Sequence, residues 1–233
     1  MLTKQEPFMI STVRGWLTNI GAHMAPSQMY WIERVMSQLA VGHWFRENGF
    51  RFTPLYADRY ELYSALARDL ANKRALYLEF GVFQGASLRA WSKLLRNPRA
   101  ELHGFDVFEG LPEAWNAYNP QGKFATNGSL PQIDDPRVVL HVGLFHETLP
   151  AFVAPEHQRL IVHIDADLYS SAKYVLETLQ DAIRPGTILL FDKFYDQMHE
   201  LRAFSEFLVS SKMVFRFLGG ATSLSQCAFE RIA

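Results

Sequence analysis

The chain has 233 residues, of which 48% are apolar and 20% are charged, a composition that excludes disordered and fibrous proteins. Lysine and arginine number 23 against 24 aspartate and glutamate residues, so the charge balance argues against binding to nucleic acid or to an anionic membrane. The single cysteine, Cys227, excludes an internal disulfide and a cysteine-based zinc site, and it fits a reducing compartment.

The first segment, residues 1–72, is predicted to be a helical extension. Apolar residues recur at every fourth position from Trp31 to Leu39 and again from Leu62 to Leu70, which is the spacing of one helix face. Pro26, followed by a serine, is a start signal for one of these helices. We therefore separate this extension from a second domain formed by residues 73–233.

In the second domain the pattern changes to short apolar runs separated by amphipathic segments. In chain order the runs are ALYLEF, ELHGFD, VVLHVG, RLIVHID and GTILLFD. Strands that alternate with helices imply right-handed crossovers, so we expect an α/β fold with a mostly parallel sheet and helices on both faces. The final stretch, KMVFRFLGGATSLSQCAFERI, predicts a hairpin at one sheet edge, with the Gly-Gly pair in its turn.

One connection, from Val107 to about Pro136, is longer than ordinary loops and shows little periodicity. Segments of this kind in compact domains are usually lids, binding loops or disordered regions. It contains Trp115, Tyr118 and Phe124, and we expect it to shape the specificity for a substrate.

A glycine-containing turn follows the first strand of this domain. Gly81 and Gly85 permit a tight turn with close backbone approach, and the amides at the start of the next helix can hold an anionic group. The spacing differs from the Gly-x-Gly-x-x-Gly of dinucleotide-binding proteins, which argues against a nicotinamide oxidoreductase. A purely structural turn between strand and helix remains an equal alternative.

Acidic residues stand in or directly after the ends of several predicted strands. Glu79, Asp106, Asp165 and Asp192 should meet at one edge of a parallel sheet, which is where ligands bind in such folds. Asp106 is placed to accept hydrogen bonds from a ribose diol, although aspartate also favours turns after strands. Buried carboxylates are costly unless they are paired or bound to a cation. Asp167 has the alternative role of capping the next helix.

Five segments together resemble a known family. They are LEFGVFQGASLRAW, GFDVFEGLPEAW, VGLFHETLP, IDADLYSS and PGTILLFDKFY, spread over roughly residues 74–207. In order and spacing they are similar to the class I S-adenosylmethionine-dependent methyltransferases and, within them, to the macrocin O-methyltransferase family. The resemblance implies a Rossmann-like sheet of seven strands with an antiparallel last strand. It also implies methyl transfer from S-adenosylmethionine to a hydroxyl group of a small molecule, often a sugar of a natural product.

The same resemblance implies roles for individual residues. The motif around Glu79 would hold the methionine part of S-adenosylmethionine, Asp106 would hold its ribose, and Gly143 would lie near its adenine. Phe108 and Phe145 are candidate ring contacts. The full set of expected cofactor-binding residues is Glu79, Gly81, Gly85, Ser87, Asp106, Phe108, Gly143, Phe145 and Asp165.

The resemblance implies a divalent metal, normally Mg²⁺, at Asp165 and Asp192. The position after the second of these is usually another acid, but here it is Lys193. An ammonium group next to Asp192 repels a dication, whereas three oxygen ligands would suit Mg²⁺. Two interpretations follow: the metal persists on a reduced set of ligands, or Lys193 replaces it as a fixed positive charge that stabilises the developing alkoxide.

Methyl transfer to a hydroxyl group requires removal of a proton. Asp165 is the first candidate for the general base and His199 the second, with Lys193 as the third expected catalytic residue. The alternative for His199 is a histidine on the surface of a helix. A competing hypothesis from another class is a protein that binds S-adenosylmethionine without turnover, with the helical extension serving a partner.

We expect a hydroxylated small molecule as the acceptor and no nucleic-acid or membrane partner. In the family that the sequence resembles, amino-terminal helices cover the active site and join subunits, so a homo-oligomer is expected. Glu6 and Arg14 interrupt the opening segment, unlike the core of a signal peptide, so a cytoplasmic location is expected as well.

Overall fold

The computed structural model describes residues 8–116 and 118–233, so the first seven residues of the predicted extension, with Glu6, lie outside the described residues. The helices are α1 Phe8–Ala22, α2 Pro26–Glu47, α3 Arg59–Ala67, α4 Ala86–Leu94, α5 Phe145–Thr148, α6 Tyr169–Thr178 and α7 Glu200–Ser211. Two short 3₁₀ helices cover Leu149–Ala151 and Thr222–Leu224. The strands are β1 Leu55–Tyr56, β2 Ala75–Phe80, β3 Glu101–Asp106, β4 Val138–Val142, β5 Arg159–Ile164, β6 Ile188–Phe191, β7 Phe215–Ala221 and β8 Cys227–Arg231.

The strands form one sheet in the order β1-β7-β8-β6-β5-β2-β3-β4. All neighbouring strands are parallel except that β8 runs antiparallel to β6 and β7. The predicted seven-stranded, mostly parallel sheet with an antiparallel last strand is therefore confirmed. The two-residue strand β1 adds an eighth at the β7 edge, and two residues are too few to produce a periodic signal in the sequence.

The terminal hairpin is present, but its Gly-Gly pair does not form the turn. Gly219 and Gly220 lie within β7, and the chain turns through the 3₁₀ helix Thr222–Leu224. A side chain at Gly219 would come within 2.8 Å of the Tyr56 ring, so glycine here lets β1 pack against β7. The expectation of a Gly-Gly turn was wrong because tertiary contact, not turn chemistry, requires the glycine.

Both faces of the sheet are covered, because successive side chains of each strand point to opposite faces. On β2, Leu76, Leu78 and Phe80 belong to one core cluster, whereas Ala75 and Tyr77 belong to the other. The first cluster packs against α6, α7 and the end of α2. The second packs against α3 and α4.

The predicted extension is helical over most of its described length. Helix α2 begins at Pro26 as expected, and Asp58 caps α3 by accepting hydrogen bonds from the amides of Tyr60 and Glu61. One face of α3, with Leu62, Tyr63 and Leu66, is buried against the sheet, so this helix packs as part of the core. No helix among the described residues is both long enough and apolar enough to cross a membrane.

A buried polar network lies on the α4 side of β2. The Tyr77 hydroxyl donates to Glu79 at 2.6 Å, and the Ser87 hydroxyl donates to the other Glu79 oxygen at 2.6 Å. His163 Nδ1 lies 2.7 Å from the Tyr77 hydroxyl. The Tyr77 hydroxyl therefore links Glu79 on β2 to His163 on β5.

Burial sets the protonation of this network. It raises the pKa of Glu79 to about 8, although the hydrogen bonds from Ser87 and Tyr77 act in the opposite direction. Burial also lowers the pKa of His163 to about 4, so this imidazole is neutral at physiological pH.

The raised pKa of Glu79 predicts a pH-dependent stability. The folded protein keeps a proton on Glu79 up to about pH 8, whereas the ordinary value is 4.5, so this contribution is present at low pH and is lost as the pH rises. Between about pH 6.5 and 8, stability should fall in wild type relative to Glu79→Gln by up to about 1.4 kcal/mol per pH unit, and the difference should level off above pH 8, where Glu79 is ionised in both states. Urea unfolding followed by tryptophan fluorescence measures this difference.

Glu47 is exposed on α2, and Glu47→Gln is the matched control, which should follow the pH curve of wild type. Parallel curves for wild type and Glu79→Gln would show that Glu79 is ionised in the folded protein.

Candidate functional site

The carboxyl ends of β2, β3, β5 and β6 meet at one edge of the sheet, as expected for parallel strands. A cavity of 620 Å³ opens there. Seven of the residues predicted from the sequence line it: Gly81, Asp106, Gly143, Phe145, Asp165, Asp192 and Lys193. The other five do not: Glu79, Gly85, Ser87, Phe108 and His199.

The turn after β2 approaches β5 very closely. Gly81 has a φ of +96°, and a side chain there would overlap the backbone carbonyl of Asp165. Gly85, at φ +71°, precedes α4 and would bring a side chain to 2.9 Å from Pro131. Both glycines are therefore required by close backbone approach. Gly81 opens onto the cavity, whereas Gly85 packs against the long connection.

Asp106 holds this turn in place from the end of β3. One carboxylate oxygen accepts from the amides of Val82 and Phe83, both at 2.8 Å, and the other accepts from the amide of Phe108 at 2.8 Å. The second oxygen keeps lone-pair capacity for another donor, and the side chain lines the cavity. The buried Phe108 is the backbone anchor of Asp106, and its ring contributes to the core.

Glu79 and Ser87 are buried and do not line the cavity. Their hydrogen bond joins β2 to α4, the two elements that flank the glycine turn, so they support the position of the turn. Gly143 and Phe145 do reach the cavity, and the Phe145 ring packs edge-on against Phe80 at 5.4 Å.

The acidic end of the cavity contains two cations as well as three carboxylates. The Lys193 ammonium lies 2.8 Å from Asp165 and also pairs with Asp167. The Arg59 guanidinium lies 2.9 Å from Asp192. Asp192 is buried, and its other oxygen accepts from the Gln226 amide and from the Lys193 backbone.

Burial and charge set the protonation states of these groups. Burial lowers the pKa of Lys193, but the carboxylates of Asp165, Asp167 and Asp192 outweigh it and raise that pKa. Burial raises the pKa of Asp165, but Lys193 outweighs it and holds that pKa below its ordinary value. Burial is the largest effect at the other two carboxyls. It raises the pKa of Asp167 to about 6 and the pKa of Asp192 to about 7.

The residues around Asp165 and Asp192 do not fit a divalent metal as they are arranged. Each carboxylate already faces a cationic side chain, and a dication at this position would be repelled by the ammonium and the guanidinium. Within residues 8–116 and 118–233, no three histidine, cysteine or acidic side chains are grouped as metal ligands.

Two residues of this cluster were not assigned to the site from the sequence. Arg59 is the first residue of α3 and contacts Asp192, which lies 133 positions later in the sequence. Because the two residues are so far apart along the chain, no local sequence pattern predicts this contact. Asp167 does not cap α6, because that helix begins at Tyr169 and its cap position is Leu168. With a φ of +61°, Asp167 instead turns towards Lys193.

His199 lies outside the cavity lining, at the start of α7. Its Nδ1 accepts a hydrogen bond from the Tyr169 amide at 3.1 Å, so this nitrogen is engaged in joining α6 to α7. Its ring packs edge-on against Trp115 at 6.1 Å. The position therefore differs both from the acceptor-facing base and from the exposed surface histidine that the sequence suggested.

The long connection between β3 and β4 covers the cavity. It lines the cavity with residues between Val107 and Phe124. The Lys193 ammonium lies 5.4 Å from the Trp115 ring and 5.8 Å from the Phe124 ring, at distances typical of cation–π contacts. Further along, the Tyr118 hydroxyl donates to the Pro26 carbonyl at 2.8 Å, which ties the connection to α2.

Solved structures of similar fold are methyltransferases. The calicheamicin methyltransferase CalS11 has 22% identity and a TM-score of 0.59, over 89% of this chain and 94% of that one. The O-methyltransferase NovP has 18% identity and a TM-score of 0.59, over 75% and 80%. TomG from Streptomyces achromogenes, an O-methyltransferase of tomaymycin synthesis solved with S-adenosylmethionine, has 18% identity and a TM-score of 0.50, over 84% and 90%. At these identities the likeness shows the fold alone.

Among curated proteins the comparison finds no match. A family described as methyltransferase domain matches residues 78–194, which is half of the chain. The matched region runs from β2 to the residues after β6, so it contains the glycine turn, Asp106 and the acidic end of the cavity. The predicted resemblance to methyltransferases is confirmed, and the chain belongs to the family of methyltransferase domains.

Proposed function

We propose that this protein is an S-adenosylmethionine-dependent O-methyltransferase that acts on a hydroxyl group of a small molecule, such as a sugar or another natural product. The observation that carries the proposal is the cavity at the carboxyl edge of the sheet, which has the glycine turn and Asp106 in one part and the charged cluster in another. The similar folds of CalS11, NovP and TomG, all described as methyltransferases, support it.

The cavity lining offers separate places for the parts of S-adenosylmethionine. The backbone at Gly81 and the neighbouring Phe83 suit the methionine part, Asp106 suits the ribose hydroxyls, and the segment from Gly143 to Phe145 suits the adenine. When bound, this nucleoside supplies a methyl group on a positively charged sulfur. The acceptor would then bind in the remaining part of the cavity, between the charged cluster and the connection that joins β3 to β4.

Asp165 is our candidate for the group that removes the hydroxyl proton of the acceptor. It lines the cavity, and Lys193 holds it ionised. The bound nucleoside would supply the methyl group and leave as a neutral thioether, and Asp165 would take the hydroxyl proton of the acceptor as its oxygen is methylated. We do not assign His199 as the base, because its Nδ1 already accepts a hydrogen bond from the Tyr169 amide and its side chain does not line the cavity.

We also propose a homo-oligomer in a reducing compartment such as the cytoplasm. The free thiol of the buried Cys227 is consistent with that compartment. Support for self-association comes from helices α1 and α2, which present many large apolar side chains to solvent. These are Val13, Trp16, Leu17, Ile20, Met29, Tyr30, Trp31, Ile32, Val35, Met36 and Leu39.

Asp106→Asn should weaken binding of S-adenosylhomocysteine. The amide keeps the shape of the carboxylate but gives up the charge and one acceptor, which for hydrogen bonds to charged groups corresponds to about 10- to 100-fold in affinity. Titration calorimetry measures the change. NAD is the control ligand, and binding of NAD in preference to S-adenosylhomocysteine by wild type would contradict the proposed cofactor.

Asp165→Asn should lower kcat by about 10²- to 10⁴-fold, because it removes general-base assistance. Binding of S-adenosylhomocysteine should persist, since Asp165 acts on the acceptor. The assay measures release of S-adenosylhomocysteine with a panel of hydroxylated acceptors. Asp181→Asn, an exposed change beyond α6, is the matched control and should keep full activity. An Asp165→Asn enzyme as fast as wild type would remove Asp165 from the mechanism.

Trp16→Glu combined with Trp31→Glu should shift the protein from an oligomer to a monomer, because both side chains are two-thirds exposed in a single chain. Light scattering after size exclusion measures the mass in solution. Val209→Glu, at a position on α7 that is more exposed than either tryptophan, is the control and should leave the mass unchanged. A wild-type protein that is monomeric at all concentrations would rule out the proposed self-association.

A further inference from the structure

We propose that Arg59 and Lys193 together take the place of a divalent metal, so that this methyltransferase works without one and Arg59 is a further residue of the acceptor site. The inference deepens the proposed function and rests on it. It starts from the pairing of charges at the acidic end of the cavity, where Asp165, Asp167 and Asp192 each contact one of the two cations.

The charges in the cluster balance as they would around a metal. Three carboxylates and two single positive charges give the same net charge as three carboxylates and one dication. A metal that entered would therefore have to displace both the ammonium of Lys193 and the guanidinium of Arg59. The carboxylate oxygens it needs are the ones that these cations contact.

The two cations are held in place by the fold. Lys193 follows Asp192 in a left-handed conformation, with φ at +49°, and its ammonium lies over the rings of Trp115 and Phe124. Arg59 begins α3, a helix capped by Asp58 and buried against the sheet through its next turns. Both side chains are more than half buried, with Arg59 35% exposed and Lys193 25% exposed.

Both cations can act on an acceptor oxygen, because both line the cavity. Among the described residues Lys193 donates a hydrogen bond to Asp165 and forms an ion pair with Asp167, and an ammonium with three N–H donors keeps capacity for the acceptor. The Arg59 contact with Asp192 uses one nitrogen of its five-donor fork. Donors aimed at an oxygen that gains negative charge supply the electrostatic stabilisation that a metal would otherwise supply.

The distinguishing experiment measures binding of Mn²⁺ alone, by electron paramagnetic resonance, to protein saturated with S-adenosylhomocysteine. Wild type should bind no stoichiometric Mn²⁺. The double variant Arg59→Gln, Lys193→Asn removes both positive charges and adds amide oxygens, so it should gain one Mn²⁺ site. Adding Asp192→Asn to that variant should abolish the gained site.

Two results would overturn the proposal. One is a stoichiometric Mn²⁺ site in wild type that Asp192→Asn removes. The other is a double variant that still binds S-adenosylhomocysteine, and is therefore folded, but gains no Mn²⁺ site.

Activity gives an independent readout once an acceptor is found. Chelation with EDTA should leave kcat of wild type unchanged, whereas Lys193→Met should lower it by about 10²-fold or more. Arg59→Lys should retain more activity than Arg59→Gln, because it keeps the charge. Loss of wild-type activity on chelation would contradict the proposal.

The Mn²⁺ measurement needs no acceptor, so it separates this inference from the proposed function. If no hydroxylated acceptor is methylated but wild type excludes Mn²⁺ and the double variant binds it, the proposed function fails and the exchange of a metal for two cations stands.

Discussion

Carboxylates that emerge from a buried sheet must be neutralised, because an unpaired charge away from water costs several kcal/mol. This chain meets the constraint differently at each strand end. Glu79 stays protonated below about pH 8 and is hydrogen-bonded to the hydroxyls of Tyr77 and Ser87. Asp106 is surrounded by backbone amides, and the remaining acids pair with Lys193 and Arg59.

These different solutions divide the cavity into parts with different chemistry. Asp106, held by hydrogen bonds from backbone amides, remains a fixed acceptor at the glycine turn, where it is suited to neutral hydroxyl donors. The cation-paired end presents positive and negative groups side by side, which suits an oxygen that must lose a proton and gain negative charge. In the proposed reaction the two parts would hold the nucleoside and the acceptor respectively.

The amino-terminal extension is more closely joined to the site than a separate helical segment would be. Helix α3 packs in the core and delivers Arg59 to Asp192, and the end of α2 contributes Val41 and Phe45 to the other core cluster. The connection over the cavity reaches back to α2 through Tyr118 and Pro26. The boundary at residue 72 stays a prediction, and β1 and α3 on its amino-terminal side pack directly against the sheet.

The sequence by itself determined the α/β fold, the terminal hairpin and the edge at which Asp106, Asp165 and Asp192 meet. Each of these follows from local patterns, since apolar runs mark strands and parallel strands share one carboxyl edge. Only the tertiary structure decided that Arg59 neutralises Asp192, that Asp167 turns towards Lys193 and that His199 joins two helices. Those contacts depend on side chains that are distant along the chain or on backbone conformations that packing imposes, and neither leaves a periodic trace in the sequence.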